Sequence, residues 1–161
     1  FRTSVEGIYA IGDIVATPAL AHVASAEASV CVEAICGEKP TPIDYTTIPS
    51  CVYTTPEVAM VGLTEKQALD QGYEIKVGKD QFMASGKATA AGDRDGFVKL
   101  IYDAKSETLL GAHIIGASVT EMLGEPAMAK RLGITARQIA STVHSHPTMY
   151  EGLLEATEEI L

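Results

Sequence analysis

At 161 residues, with 47% hydrophobic and 20% charged side chains, the chain can bury a core without disulfide or metal staples and is too apolar to be disordered. Twelve Lys and Arg against 21 Asp and Glu leave a net charge of −9, which argues against a nucleic-acid surface and against attraction to anionic lipid. No apolar run approaches the ~20 residues of a membrane span, and three cysteines fit a reducing compartment, cytoplasm or organelle matrix, better than a disulfide framework. The first residue is Phe1, not Met, no signal peptide opens the chain, and an apolar segment follows almost at once. A piece of a longer polypeptide is therefore expected.

In chain order, residues 7–11 form a short apolar run ended by Gly12-Asp13, the pattern of a buried strand entering a turn. Residues 19–36 are small and apolar with no internal Gly or Pro, and Gly37 is a natural stop, which predicts a closely packed helix. Lys39-Pro40-Thr41-Pro42 then reads as a linker, dividing the chain into residues 1–40 and 41–161. Beyond it, strands are expected at 50–54, 58–62, 74–80, 96–102 and 109–115, the last two joined by a polar turn at 103–107. Thr64 with Gln67 makes a capping box opening a helix that Gly72 closes. Three further boxes are read at Ser118 with Glu121, Thr135 with Gln138, and Thr148 with Glu151, and Pro126 should kink the first of those helices. Strands followed by consecutive helices predict an α+β domain, a mostly antiparallel sheet with helices on one face.

Several motifs lose to plainer explanations. Cys31 and Cys36 are five apart on a predicted helix, about 140° around it, so their sulfurs cannot meet. Cys51 has no partner near in sequence. Gly86-Lys87 lacks the upstream Gly and the following Ser or Thr of a phosphate loop, and residues 93–96 lack the later ligands of a calcium loop. His113, among apolar neighbours in a strand, reads as structural. His144 and His146 point to opposite sides of an extended segment, which disfavours joint metal coordination. No complete dinucleotide-binding glycine motif occurs.

Two places remain. Asp13, at the end of the first expected strand, is placed to bond a cofactor hydroxyl, and the helix beginning near Ala19 offers free N–H groups close by. In His146-Pro147-Thr148-Met149-Tyr150-Glu151, Pro147 holds His146 extended just before a helix start, with a carboxylate one turn on. That is a minimal general-base pair, unless Glu151 only caps the helix.

Residues 3–13 (TSVEGIYAIGD) resemble the second FAD fingerprint of the flavin-dependent disulfide reductases, and 18–22 (PALAH), 48–65 (IPSCVYTTPEVAMVGLTE) and 144–151 (HSHPTMYE) continue the match in order. Together they resemble the dihydrolipoamide dehydrogenase family; Pro56-Glu57-Val58-Ala59 fits it better than glutathione reductase, and mercuric reductase lacks the histidine. The resemblance implies a parent that oxidises protein-bound dihydrolipoyl groups of a 2-oxoacid dehydrogenase complex with NAD through FAD and a redox disulfide. It implies that residues 1–40 are the last strand and helix of an FAD-binding domain, and 41–161 a dimerisation domain. Asp13 would bond the FAD ribityl chain, with backbone at Leu20 and Ala21 facing the flavin. His146 would be the base, oriented by Glu151 and reaching the opposite subunit of a homodimer. The redox C-x4-C and the NAD domain are absent, so the chain alone is expected to be inactive and to hold neither cofactor stably. Another flavin disulfide reductase, or a purely structural dimerisation module, are the alternatives.

Overall fold

A computed structural model describes all 161 residues. The chain divides into two compact units, Phe1–Ile48 and Pro49–Leu161.

In the first unit, α1 (Ala21–Ile35) occupies the expected helical stretch, and Gly37 ends it at φ +84°, where a side chain would be strained. The strand expected at 7–11 is not formed. The run touches another extended segment only in a single bridge between Arg2 and Tyr9, and Ile8 is exposed. An apolar run becomes a strand only where neighbours complete its ladder, and this unit supplies one residue of ladder. The chain enters a 3-10 turn, Gly12–Ile14, and no regular element interrupts it between Glu38 and Asp44. Glu27 is fully buried in this unit. The Gly12 N–H donates to its Oε2 at 2.7 Å, and the Tyr45 hydroxyl to its Oε1 at 2.8 Å. Chiefly the Gly12 N–H holds this carboxyl below its ordinary range, against the opposing effect of burial.

The second unit is built on five strands, β1 (Ser50–Val52), β2 (Glu57–Gly62), β3 (Ile75–Gln81), β4 (Phe97–Asp103) and β5 (Leu109–Gly116). All pairings are antiparallel, in the order β1-β2-β5-β4-β3, which leaves β1 and β3 as edges. Alternation assigns most of the faces: Ala59, Val61, Val98, Leu100, Tyr102, Ala112 and Ile114 enter the main core and Ile101 faces away, while a register shift between β4 and β5 opposite Ile101 and Tyr102 turns Leu109 into the main core and Leu110 to the other face. α4 (Gly124–Leu132), α5 (Ala136–Ala140) and α6 (Glu151–Glu158) gather on the main-core face. A short helix, α2 (Glu65–Asp70), places Ala68 against Ile101 and Leu110 on the other. The α+β class is as expected, with α2 as an addition on the second face.

The boxes at Thr64 and Thr135 form in full, the N3 amide donating to the threonine hydroxyl and the cap amide donating to the Gln side-chain carbonyl. The one expected at Ser118 does not. Ser118 is left-handed at φ +55°, and an N-cap needs extended backbone, so a 3-10 turn, Val119–Leu123, runs straight into α4. Pro126 therefore falls in the first turn of α4, where an N–H has no intrahelical partner to lose. A helix not foreseen, α3 (Gly86–Ala91), starts on the hydroxyl of Ser85 in the stretch rejected as a phosphate loop.

α6 lies directly on β3 and β4. Gly78 makes this possible, because a Cβ there would sit 1.7 Å from the Ala156 carbonyl oxygen. The Tyr102 hydroxyl donates to Thr157 Oγ1 at 2.7 Å, the threonine proton being given to the Leu153 carbonyl at 2.8 Å. Burial pushes the Tyr102 phenol up to about 12. At the far end of α6, Glu159 accepts the Lys79 N–H of edge strand β3.

Candidate active site

His146 and Glu151 come together as the sequence suggests. His146 Nδ1 stands 2.7 Å from Glu151 Oε1, while Glu151 Oε2 accepts the Thr148 N–H at 2.9 Å. An ionised carboxylate only accepts, so Nδ1 carries a proton, and in the neutral ring it is Nε2 that presents a lone pair. The His146 side chain is 77% exposed and that of Glu151 29%, so the carboxylate is sheltered and the ring is presented to solvent.

The capping box at Thr148 is a correction. α6 begins only at Glu151, its N-cap is Tyr150, and the Thr148 hydroxyl donates to the Ser145 carbonyl instead of a helix amide. Thr148 therefore shapes the loop and does not cap the helix. Glu151 instead places one oxygen on the ring and the other on the loop backbone.

The Glu151 carboxyl lies below its ordinary value of 4.5, first because His146 donates to it, then because of the Thr148 N–H, against partial burial. A carboxyl lowered in the folded state stabilises it at all pH above its unfolded value and loses that contribution as pH falls through the folded one. In an acid titration of the chain followed by NMR, the Thr148 amide should therefore move with a midpoint below 4.5. A midpoint at or above the ordinary value would show that the tie is not formed in solution.

The pair opens on a cleft of about 280 Å³ that Asp80, Ser85, Gly86 and Glu155 also line. Burial pushes the Asp80 carboxyl up, and the Glu155 charge adds to it. Asp80 escaped sequence analysis; its signal was register, since it shares the helix-facing side of β3 with Gly78. A larger cavity, about 510 Å³, lies along α4 and α5 against Met128, Leu132 and Ile139, with Glu125 its one acidic group. Size does not locate the chemistry here.

The two histidines once weighed as joint ligands face different acids: His144 Nε2 is 3.0 Å from Glu125 Oε1. His113 Nε2 bonds the Leu63 carbonyl at 3.0 Å, a structural role. Cys31 is buried and Cys36 exposed on the same helix, and Cys51 is half-buried on β1.

Asp13, Leu20 and Ala21 all belong to the first unit. Asp13 is exposed within the 3-10 turn, Leu20 is the half-buried N-cap of α1, and Ala21 opens that helix exposed. Leu20 supplies no side-chain cap, so the helix start is left to other acceptors. Glu27, which pins the turn carrying Asp13 through Gly12, was also missed. Its signal was an acid at i, i+4 spacing between Val23 and Cys31, both buried.

Residues 48–157 match the family model described as the pyridine nucleotide-disulphide oxidoreductase dimerisation domain. Dihydrolipoyl dehydrogenase of Chlorobaculum tepidum is 51% identical over 160 residues, covering 99% of this chain and 34% of that protein. The Bacillus subtilis dihydrolipoyl dehydrogenase is 46% identical over 155 residues, with coverage of 96% and 33%. The crystal structure of LpdA from Mycobacterium tuberculosis superposes with a TM-score of 0.92 at 26% identity, covering 99% of this chain and 35% of that one. The chain thus spans about a third of the length of the curated relatives it matches.

Proposed function

We propose, from the premise that the chain belongs to the pyridine nucleotide-disulphide oxidoreductase dimerisation-domain family, that it supplies the proton-transfer half of a dihydrolipoamide dehydrogenase active site. The observation that carries this is the 2.7 Å contact between His146 Nδ1 and Glu151 Oε1, on a ring otherwise open to solvent. Glu151 fixes the tautomer, and Nε2 takes the thiol proton of a dihydrolipoyl group presented by a lipoyl domain. Glu151 then stabilises the imidazolium through the same hydrogen bond.

The remaining parts belong to this reading. Residues 1–40 close an FAD-binding domain and 41–161 form the dimerisation domain of a homodimer, in which each His146 serves the opposite subunit. Asp13 and the backbone at Leu20 and Ala21 would hold FAD; the exposed carboxylate and the helix start without a side-chain cap fit that role. FAD, when bound, supplies the electron relay between a redox disulfide and NAD. The site presents no metal-ligand cluster. No helix is long and apolar enough to cross a membrane, and three free cysteines suit a cytoplasmic or organelle-matrix setting.

The test is a chimera in which this chain replaces the matching third of the Chlorobaculum tepidum enzyme. It should oxidise dihydrolipoamide with NAD, while the isolated chain should not. A chimera that folds and retains FAD yet is inert would overturn the proposal.

A further inference from the structure

The loop from Ser141 to Tyr150 carries His146 between α5 and α6, and most of it is bare: Val143 is 96% exposed and His146 nearly as open. A ring held this loosely would spend little time in the geometry that makes Glu151 useful. Thr148, Met149 and Tyr150 are partly buried at its far end, and ahead of His146 one side chain is enclosed. The His144 ring is 5% exposed, wedged against the first turn of α4, with Nε2 3.0 Å from Glu125 Oε1. Its Nδ1 lies 2.9 Å from the Thr142 carbonyl oxygen. The bonds of Ser141 and Thr142 return to Gln138, at the end of α5 from which the loop departs. Further along, the Tyr150 hydroxyl donates to the Glu121 carbonyl at 2.9 Å, fastening the other end of the loop to the turn before α4.

Both partners of the His144 ring are acceptors. A carbonyl cannot donate, and neither can an ionised carboxylate, so both contacts are satisfied only if both ring nitrogens carry protons. A neutral ring would leave one of the two acceptors facing a lone pair, at the cost of a lost hydrogen bond and a repulsive contact. We propose that Glu125 and His144 are positioning residues for the His146–Glu151 pair, an imidazolium–carboxylate tie with an enclosed ring that fixes the loop two residues from the exposed one. The chain thus carries two histidine–carboxylate pairs with divided labour. In the pair with the exposed ring one nitrogen is left free for chemistry; in the pair with the enclosed ring neither is.

The inference rests on His146 being the base, but its test reads ring states in this chain and needs no turnover. Nitrogen-15 NMR of the imidazole rings should show two protonated nitrogens on His144 under conditions where His146 shows Nδ1–H with a bare Nε2. In Glu125→Gln, His144 should lose one proton, and His146 should lose its Nδ1–H preference and revert to the mixed tautomers of a free ring. Amide shifts of the sheet and α6 should stay in place. His144→Gln, which keeps a polar contact to Glu125 but no charge, should give the same loss at His146 and decides the matter if the Glu125 variant fails to fold. A bare nitrogen on His144 in the unmodified chain, or an unchanged His146 signature in a folded variant, overturns the proposal. Since the readout is separate from activity, an inert chimera with intact ring states would condemn the catalytic reading alone.

Discussion

Changing His146 to Gln in the chimera is expected to lower kcat for dihydrolipoamide oxidation by about 10²- to 10⁴-fold, the range a positioned general base contributes. Protein stability and FAD content should barely move. The geometry gives the reason for this separation. The His146 ring is mostly in water and fills no core space, so its removal leaves no cavity. Glu151 keeps Oε2 on the Thr148 N–H, so the loop retains its tie to the first residue of α6. Gln can hydrogen-bond but cannot accept a thiol proton at neutral pH. Parallel measurement of kcat, flavin absorbance and the thermal midpoint decides the case. Equal losses in all three would mean that the pair is a structural tie after all. Glu151→Gln is informative beside it. An amide oxygen kept on Thr148 leaves the amide NH₂ facing Nδ1, which must then accept, placing the ring proton on Nε2 where the lone pair is required.

The second large effect is expected at Gly78. Gly78→Ala places a Cβ 1.7 Å from the Ala156 carbonyl oxygen and 2.8 Å from its carbonyl carbon, both backbone atoms with no rotamer to give way. Either α6 lifts from β3 or the strand bends. α6 carries Leu153 and Ala156 into the core and Thr157 onto Tyr102, so lifting it exposes all three. A loss of about 3 kcal/mol or more is expected, at the upper end of what overpacking costs. Urea unfolding of the chain measures it, with Gly86→Ala as the control. Gly86 has open space around its missing Cβ and an ordinary backbone, so that variant should be neutral or slightly stabilising. A midpoint in Gly78→Ala equal to that of the control would mean that α6 does not sit on the sheet as described.

The sequence was legible at His146 and not at Gly78. His146 and Glu151 are five residues apart, joined through a proline, and the pair was visible because a local chain segment dictates it. The five strands were visible through alternation, and the boxes at Thr64 and Thr135 through the spacing of cap and N3. Ser118 and Thr148 have the same spacing and fail, because cap formation depends on backbone conformation, and one is left-handed and the other spends its hydroxyl on Ser145. What the sequence hid is what tertiary structure brings together. Glu125 meets His144 across 19 residues, Asp80 faces α6 only once β3 is in register, and Glu27 meets Gly12 across 15. α3 escaped because two threonine and glycine positions dilute a six-residue helix that a Ser85 cap starts.

The Glu159 contact on edge strand β3 has a consequence for how the protein behaves when crowded. An open sheet ends in unpaired N–H and C=O groups, a template on which a second chain can add a strand. The two ends of this sheet are guarded by different means. β1 is three residues long, too short to seed much pairing. β3 is seven, but Glu159 occupies its Lys79 N–H, and the exposed Lys76 and Lys79 put charge along the strand. The same helix that begins with the histidine's carboxylate thus ends by occupying an amide on the open edge of the sheet, one fewer group on which a strange strand could pair.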